Sequence, residues 1–150
     1  MRYWDTSVLL KLFVEEDDSR VFAALMAESS EGIQTSELSR LELIRAFWGK
    51  RLDGAIVPGA EKALVRRFDS EVHTGRINLV PLRGAVREGE FETVLRVCYT
   101  RPRPIRVRAL DALHLASALA ARATAVVCTD KRMLEAAAAL QMNIYPANSS

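Results

Sequence analysis

Short runs of strand-forming residues alternate along the chain with longer stretches whose apolar side chains recur three and four positions apart. Residues 1–4, 32–35, 77–80, 125–128 and 143–145 are the predicted strands. Residues 8–13, 19–29, 36–53, 59–73, 83–99, 108–122 and 131–140 carry the helical spacing. Strands separated by helices are joined as parallel neighbours, because the helix carries the chain back across the sheet. The predicted fold is therefore α/β: a three-layer α/β/α sandwich around a central parallel sheet. Asp53-Gly54 and Val57-Pro58-Gly59 divide two helices, and Arg101-Pro102-Arg103-Pro104 stops another. There is no fixed-period repeat, low-complexity segment or polar linker, so residues 1–150 are expected to form one domain. Asn148-Ser149-Ser150 is expected to fray.

Composition narrows the class. With 49% hydrophobic and 27% charged residues, the chain has the balance of an ordinary globular protein and is too apolar to be disordered. The most apolar stretch, residues 109–127, is interrupted by Asp111, His114 and Arg122, so no membrane span is expected. The opening Met1-Arg2-Tyr3-Trp4-Asp5 lacks the apolar core of a secretory signal, which points to the cytoplasm. Cys98 and Cys128 stand far apart with no histidine at zinc spacing, and are expected to be buried thiols. A formal charge of +2 does not by itself argue for a nucleic-acid partner, although the cations are mostly Arg, which suits phosphate contacts.

In an open parallel sheet, sites form beyond the carboxyl ends of the strands. Asp5 ends the first predicted strand and is followed by Thr6 and Ser7. Thr35-Ser36 ends the second and opens the helix carrying Glu42, and Thr129-Asp130 ends the fourth. Asp111 lies in the first turn of the helix before that strand. Taken alone, Asp130 reads as an N-cap and Asp111 as an acid meeting the helix dipole. Glu42 is flanked by Leu41, Leu43, Ile44, Ala46, Phe47 and Trp48, where an unpaired carboxylate is unfavourable; its structural reading is an i,i+3 pair with Arg45. Asp5 serves neither packing nor pairing in any such reading.

Jointly these segments are more specific. Met1-Arg2-Tyr3-Trp4-Asp5-Thr6-Ser7, Thr35-Ser36 with Glu42, Leu110-Asp111-Ala112-Leu113-His114-Leu115-Ala116, and Cys128-Thr129-Asp130-Lys131-Arg132 resemble, in order and spacing, the Rossmann-related PIN-domain pattern over nearly the whole chain. The segment around Asp111 and the short length look most like the VapC toxins of type II toxin–antitoxin pairs. The resemblance implies a metal-dependent endoribonuclease leaving 5′-phosphate and 3′-hydroxyl ends. It further implies that Asp5, Glu42, Asp111 and Asp130 form one catalytic, metal-holding cluster, with Thr6, Ser7 and Thr129 as supporting hydroxyls. Oxygen donors without an obligatory Cys or His suit Mg²⁺ or Mn²⁺ better than zinc. The implied partners are an RNA substrate and a VapB-type antitoxin.

Arg101, Arg103, Arg106 and Arg108 crowd the approach to Asp111, and Lys131 and Arg132 follow Asp130. Of these, Arg106, Arg108, Lys131 and Arg132 are expected to form an RNA-contacting rim, since an anionic pocket otherwise repels its substrate; a solvated loop with capping charges is the other reading. His114 reads as a packing residue and His73 as a surface residue at a helix end. Phe47, Trp48, Leu64 and Phe68 exceed what one sheet face needs, which points to a homodimer. A phosphatase that needs a second Asp two positions after the first is disfavoured, because position 7 is Ser. No Gly-rich phosphate-binding fingerprint occurs. The alternative from another class is a catalytically silent PIN-like scaffold that binds RNA or protein.

Overall fold

A computed structural model of the chain describes residues 1–84 and 86–146. The order is β1 (Arg2–Trp4), α1 (Thr6–Phe13), α2 (Ser19–Ala27), β2 (Ile33–Ser36), α3 (Leu38–Leu52), α4 (Ala60–His73), β3 (Ile77–Val80), a π-helical turn (Val86–Glu90), α5 (Phe91–Tyr99), α6 (Ala109–Ala120), β4 (Ala125–Val127), α7 (Lys131–Ala139) and β5 (Asn143–Tyr145). The strands form one parallel sheet in the order β3-β2-β1-β4-β5. The chain winds outward from β1 in one direction to β3 and in the other through β4 to β5. That reversal places the topological switch beside β1, where such sheets open a crevice at their carboxyl ends.

The period of two along a strand divides the core. Tyr3, Val126 and Cys128 face one layer with Val94, Cys98, Leu115, Ala116 and Met133, contributed by α5, α6 and α7. Trp4 and Val127 face the other with Val8, Leu9, Phe22, Leu43, Phe47 and Phe68, contributed by α1 to α4. β4 is buried along its whole length, as a central strand covered on both faces must be. Gly32, entering β2, is fixed by close approach, since a Cβ there would lie 3.0 Å from the carbonyl oxygens of Gly75 and Arg76.

Two expectations are corrected. The helix predicted over residues 83–99 begins as the π-helical turn at Val86 and becomes α-helical at Phe91. Gly84 ahead of it has a left-handed φ of 61°, which an α-helix cannot continue. The surplus of apolar residues taken as an interface is largely core: Phe47 and Phe68 are fully buried and Leu64 packs against them, leaving only Trp48 half exposed. The expected fraying of Asn148-Ser149-Ser150 lies outside the described residues, as does Ala85 in the predicted fifth helix. Among the described residues no helix is long and apolar enough to cross a membrane.

Candidate active site

The carboxyl ends of β1 and β4, the middle of α3 and the first turn of α6 converge on one cleft. A cavity of about 450 Å³ is lined by Asp5, Thr6, Ser7, Leu10, Glu42, Arg45, Ala46, Asp111, Thr129 and Asp130. All four predicted acids and all three predicted hydroxyl residues therefore border a single space. The pairing of β1 with β4 brings the first and last of them together: Asp5 N–H donates to Val127 O at 3.0 Å, so the residues that follow each strand leave the sheet side by side.

Three of the four carboxylates are held by side-chain or backbone hydrogen bonds. Asp5 occupies the N-cap position of α1 in extended conformation, but its side chain makes no capping bond. Instead Oδ2 accepts from Ser7 Oγ at 2.6 Å, and the Cys128 thiol faces it at 3.8 Å. Asp130 caps α7, Oδ1 accepting from Met133 N–H at 2.9 Å, so the N-cap reading and a place on the cleft wall hold together. Glu42 Oε1 accepts from Thr6 Oγ1 at 2.8 Å and lies 2.5 Å from His114 Nε2. The Glu42–Arg45 ion pair that its helical spacing offered is replaced by this contact with His114, 72 positions away.

Burial pushes the Asp111 carboxyl above the ordinary carboxylate range, and the charges of Asp5 and Asp130 push it the same way. Burial also acts to raise Glu42, but the hydrogen bond and charge of His114, with the Thr6 bond, outweigh it and hold this carboxyl below its usual value. For His114, burial works against the charged form, yet the Glu42 bond and the Asp5 charge leave its pKa raised. The Cys128 thiol is pushed well up, first by burial and then by Asp5, and stays protonated.

A divalent cation fits the donor set by chemistry. The groups bordering the cleft are carboxylate and hydroxyl oxygens, while the one nearby thiol is protonated and the one imidazole is turned to a carboxylate, which favours a hard cation over zinc. The closed cluster implied by the family resemblance is not formed: among the described residues, no three His, Cys, Asp or Glu side chains are gathered tightly enough to hold an ion.

The predicted rim lies further out. Arg106, Arg108, Lys131 and Arg132 are exposed and none lines the cavity, although Arg108 is near enough to act electrostatically on Asp111. The cation on the cleft wall is Arg45, which sequence reasoning treated only as a partner for Glu42. Its place three residues after Glu42, on a neighbouring helical face, was the signal. His114, expected to pack, is 1% exposed and fully engaged in hydrogen bonds.

No curated protein matches the chain. The family model described as PIN domain matches residues 2–139, a span that runs from the first residue of β1 to the last of α7. It takes in the whole cleft, and with the parallel sheet and its switch point beside β1 it establishes that the chain belongs to the PIN domain family, whose fold is generally that of a nuclease.

Proposed function

We propose that the protein is a Mg²⁺- or Mn²⁺-dependent endoribonuclease, a VapC-type toxin whose residues 1–150 form one PIN domain. The observation that carries this reading is the convergence of Asp5, Glu42, Asp111 and Asp130 on one cleft at the switch point of the sheet. Asp5, Glu42, Asp111 and Asp130 would together hold the metal. Thr6 and Ser7 hold the carboxylates of Glu42 and Asp5, and Thr129 offers a hydroxyl at the rim.

Bound there, a divalent ion supplies Lewis-acid activation of water and neutralises charge at the leaving oxygen. Arg45 on the cleft wall, with Arg106, Arg108, Lys131 and Arg132 outside it, draws the anionic backbone towards carboxylates that would otherwise repel it. In the hydrolysis, water oxygen bonds to phosphorus as the bond from phosphorus to the 3′-oxygen breaks. The 3′-oxygen takes up a proton, leaving 3′-hydroxyl and 5′-phosphate ends.

A free RNA-cutting enzyme harms its own cell, so an antitoxin of the VapB type is the expected partner. An Arg from it entering the cleft would pair bidentately with the carboxylates and compete with metal. The exposed stripe of Leu41, Trp48 and Leu52 on α3 supports an apolar contact, with the antitoxin or with a second copy in a homodimer.

Sequencing RNA ends after brief expression would identify a responsive RNA. The purified protein should cut it with Mg²⁺ or Mn²⁺, leave 5′-phosphates, stop on chelation and resume on metal return. Cutting that persists in excess chelator would exclude the metal-dependent mechanism. Binding of RNA without cleavage would favour the silent scaffold. Co-expression of the adjacent antitoxin should relieve toxicity, and light scattering at micromolar concentration should give a dimer.

A further inference from the structure

We infer that His114 is the positioning residue for Glu42: a buried imidazole, itself anchored by Tyr3, that fixes one carboxylate oxygen and leaves the other for the cleft. The inference rests on the reading of the cleft as a divalent-metal site and concerns how that site is kept in shape.

Proton accounting around Glu42 carries it. Thr35 Oγ1 donates its single proton to the Trp4 carbonyl at 2.8 Å, so in its 2.7 Å contact with Ser39 it must accept. Ser39 has then committed its own proton to Thr35 and can only accept at its 3.0 Å contact with Thr6. The one proton of Thr6 is therefore contested between Ser39 Oγ at 3.0 Å and Glu42 Oε1 at 2.8 Å. The His114 contact is much the shortest that Nε2 makes, since Thr6 Oγ1 lies 3.5 Å and Asp5 Oδ1 3.8 Å from it. Ionised Glu42 can only accept, so at 2.5 Å the proton between them belongs to Nε2.

The other ring nitrogen fixes the ring. Nδ1 lies 2.7 Å from Tyr3 Oη, a buried hydroxyl that can donate to or accept from the ring nitrogen. Tyr3 is 0% and His114 1% exposed, so water is excluded as a replacement partner for either. The chain Tyr3, His114, Glu42 thus runs from the floor of the sheet to the cleft wall and links β1, α6 and α3. Both protein hydrogen bonds on Glu42 fall on Oε1, and among the described residues Oε2 receives none. Such partners behind a ligand set its orientation, and losing one commonly weakens metal binding by about 10–100-fold.

His114→Ala is a poor test, because it opens a cavity and strips two buried groups of their partner together. Two amides separate the roles of the ring nitrogens. The Gln side-chain nitrogen reaches the place of Nε2 and can still donate to Glu42, whereas Asn reaches only the place of Nδ1 and keeps Tyr3 alone. Calorimetric titration with Mn²⁺, alongside melting without metal, should show His114→Asn binding Mn²⁺ about tenfold more weakly, and His114→Gln within about threefold of wild type. Tyr3→Phe, which keeps the shape and loses only the hydroxyl, should give an intermediate loss. If His114→Asn and Tyr3→Phe bind Mn²⁺ like wild type, or Gln loses as much as Asn, His114 does not position Glu42. Wild-type protein that binds no Mn²⁺ would overturn the metal-site reading and this inference with it.

Discussion

The two ends of the parallel sheet both open into cavities, and the larger one is at the end where no chemistry is expected. At the amino-terminal ends of β1 to β3, a groove of about 560 Å³ is lined by Arg2, Glu31, Arg76 and neighbours from α2. The cleft at the carboxyl ends is smaller, about 450 Å³. What separates them is compensation of charge. In the amino-end groove, Glu31 pairs with the chain's N-terminal ammonium at 3.2 Å, Arg76 with Glu71 at 3.5 Å, and Arg2 lies over the Tyr145 ring. Glu61, a buried acid elsewhere, has one oxygen on Arg51 and the other on Gly59 N–H. In the carboxyl-end cleft, burial and then the charges of Asp5 and Asp130 displace the Asp111 carboxyl upward in pKa. An excess of negative charge, only partly offset by Arg45 and His114 in a partly buried space, marks the functional end better than volume does.

The largest expected effect contrasts the two ends directly. Asp5→Asn should fold and lose more than about 100-fold in RNA cleavage, because it removes a ligand and part of the charge that recruits metal. Arg76→Ala, in the larger groove, should change the rate by less than about twofold. Comparable losses in both would show that the groove takes part in catalysis.

Next comes a difference in sign between compensated and uncompensated acids. Glu61→Gln should lower the melting temperature, since Arg51 and the Gly59 N–H lose the carboxylate that both engage. Asp111→Asn should do the reverse without metal. A carboxyl whose pKa is raised on folding binds protons more readily in the folded state, so stability is lost as pH rises from the unfolded value, near 3.9, through the folded one. Removing that carboxyl should raise the melting temperature at pH 7, and a lower one would mean that Asp111 is compensated.

The smallest effect concerns the Glu42–His114 pair. Glu42 has a lowered pKa, so its contribution is present above about pH 4.3 and disappears as pH falls through the folded value. His114 has a raised pKa, so its contribution is complete below about pH 6.5 and is lost as pH rises through the folded value. The stability difference between metal-free wild type and His114→Gln should therefore be greatest between these limits and shrink on either side. A difference independent of pH would indicate packing alone.

Much of this arrangement is legible in the sequence because it follows from local signals. Polar residues closing apolar strands mark Asp5, Ser36 and Thr129, and alternating strand and helix periods give the layers. The parts that escape depend on contacts between distant segments. His114 sits among Leu113, Leu115 and Ala116 and reads as packing, because Tyr3, which faces it, is 111 positions away. Cys128 is the buried thiol its sequence suggests, but only the pairing of β1 with β4 shows that it faces Asp5. Phe47 and Phe68 look like interface residues until α3 and α4 are seen to share a core with α1 and α2. The π-helical turn at Val86 follows Gly84, whose left-handed backbone no apolar periodicity reveals.

The central claim, that the carboxyl-end cleft is a divalent-metal nuclease site, is tested most directly by melting the protein over a range of Mn²⁺ concentrations. Wild type and Arg76→Ala should be stabilised in a saturating manner, by about 2.7 kcal/mol at a metal concentration of about 100 times Kd, and Asp5→Asn should lose most of that response. Stabilisation of Asp5→Asn equal to wild type, or no stabilisation of wild type, would contradict the account.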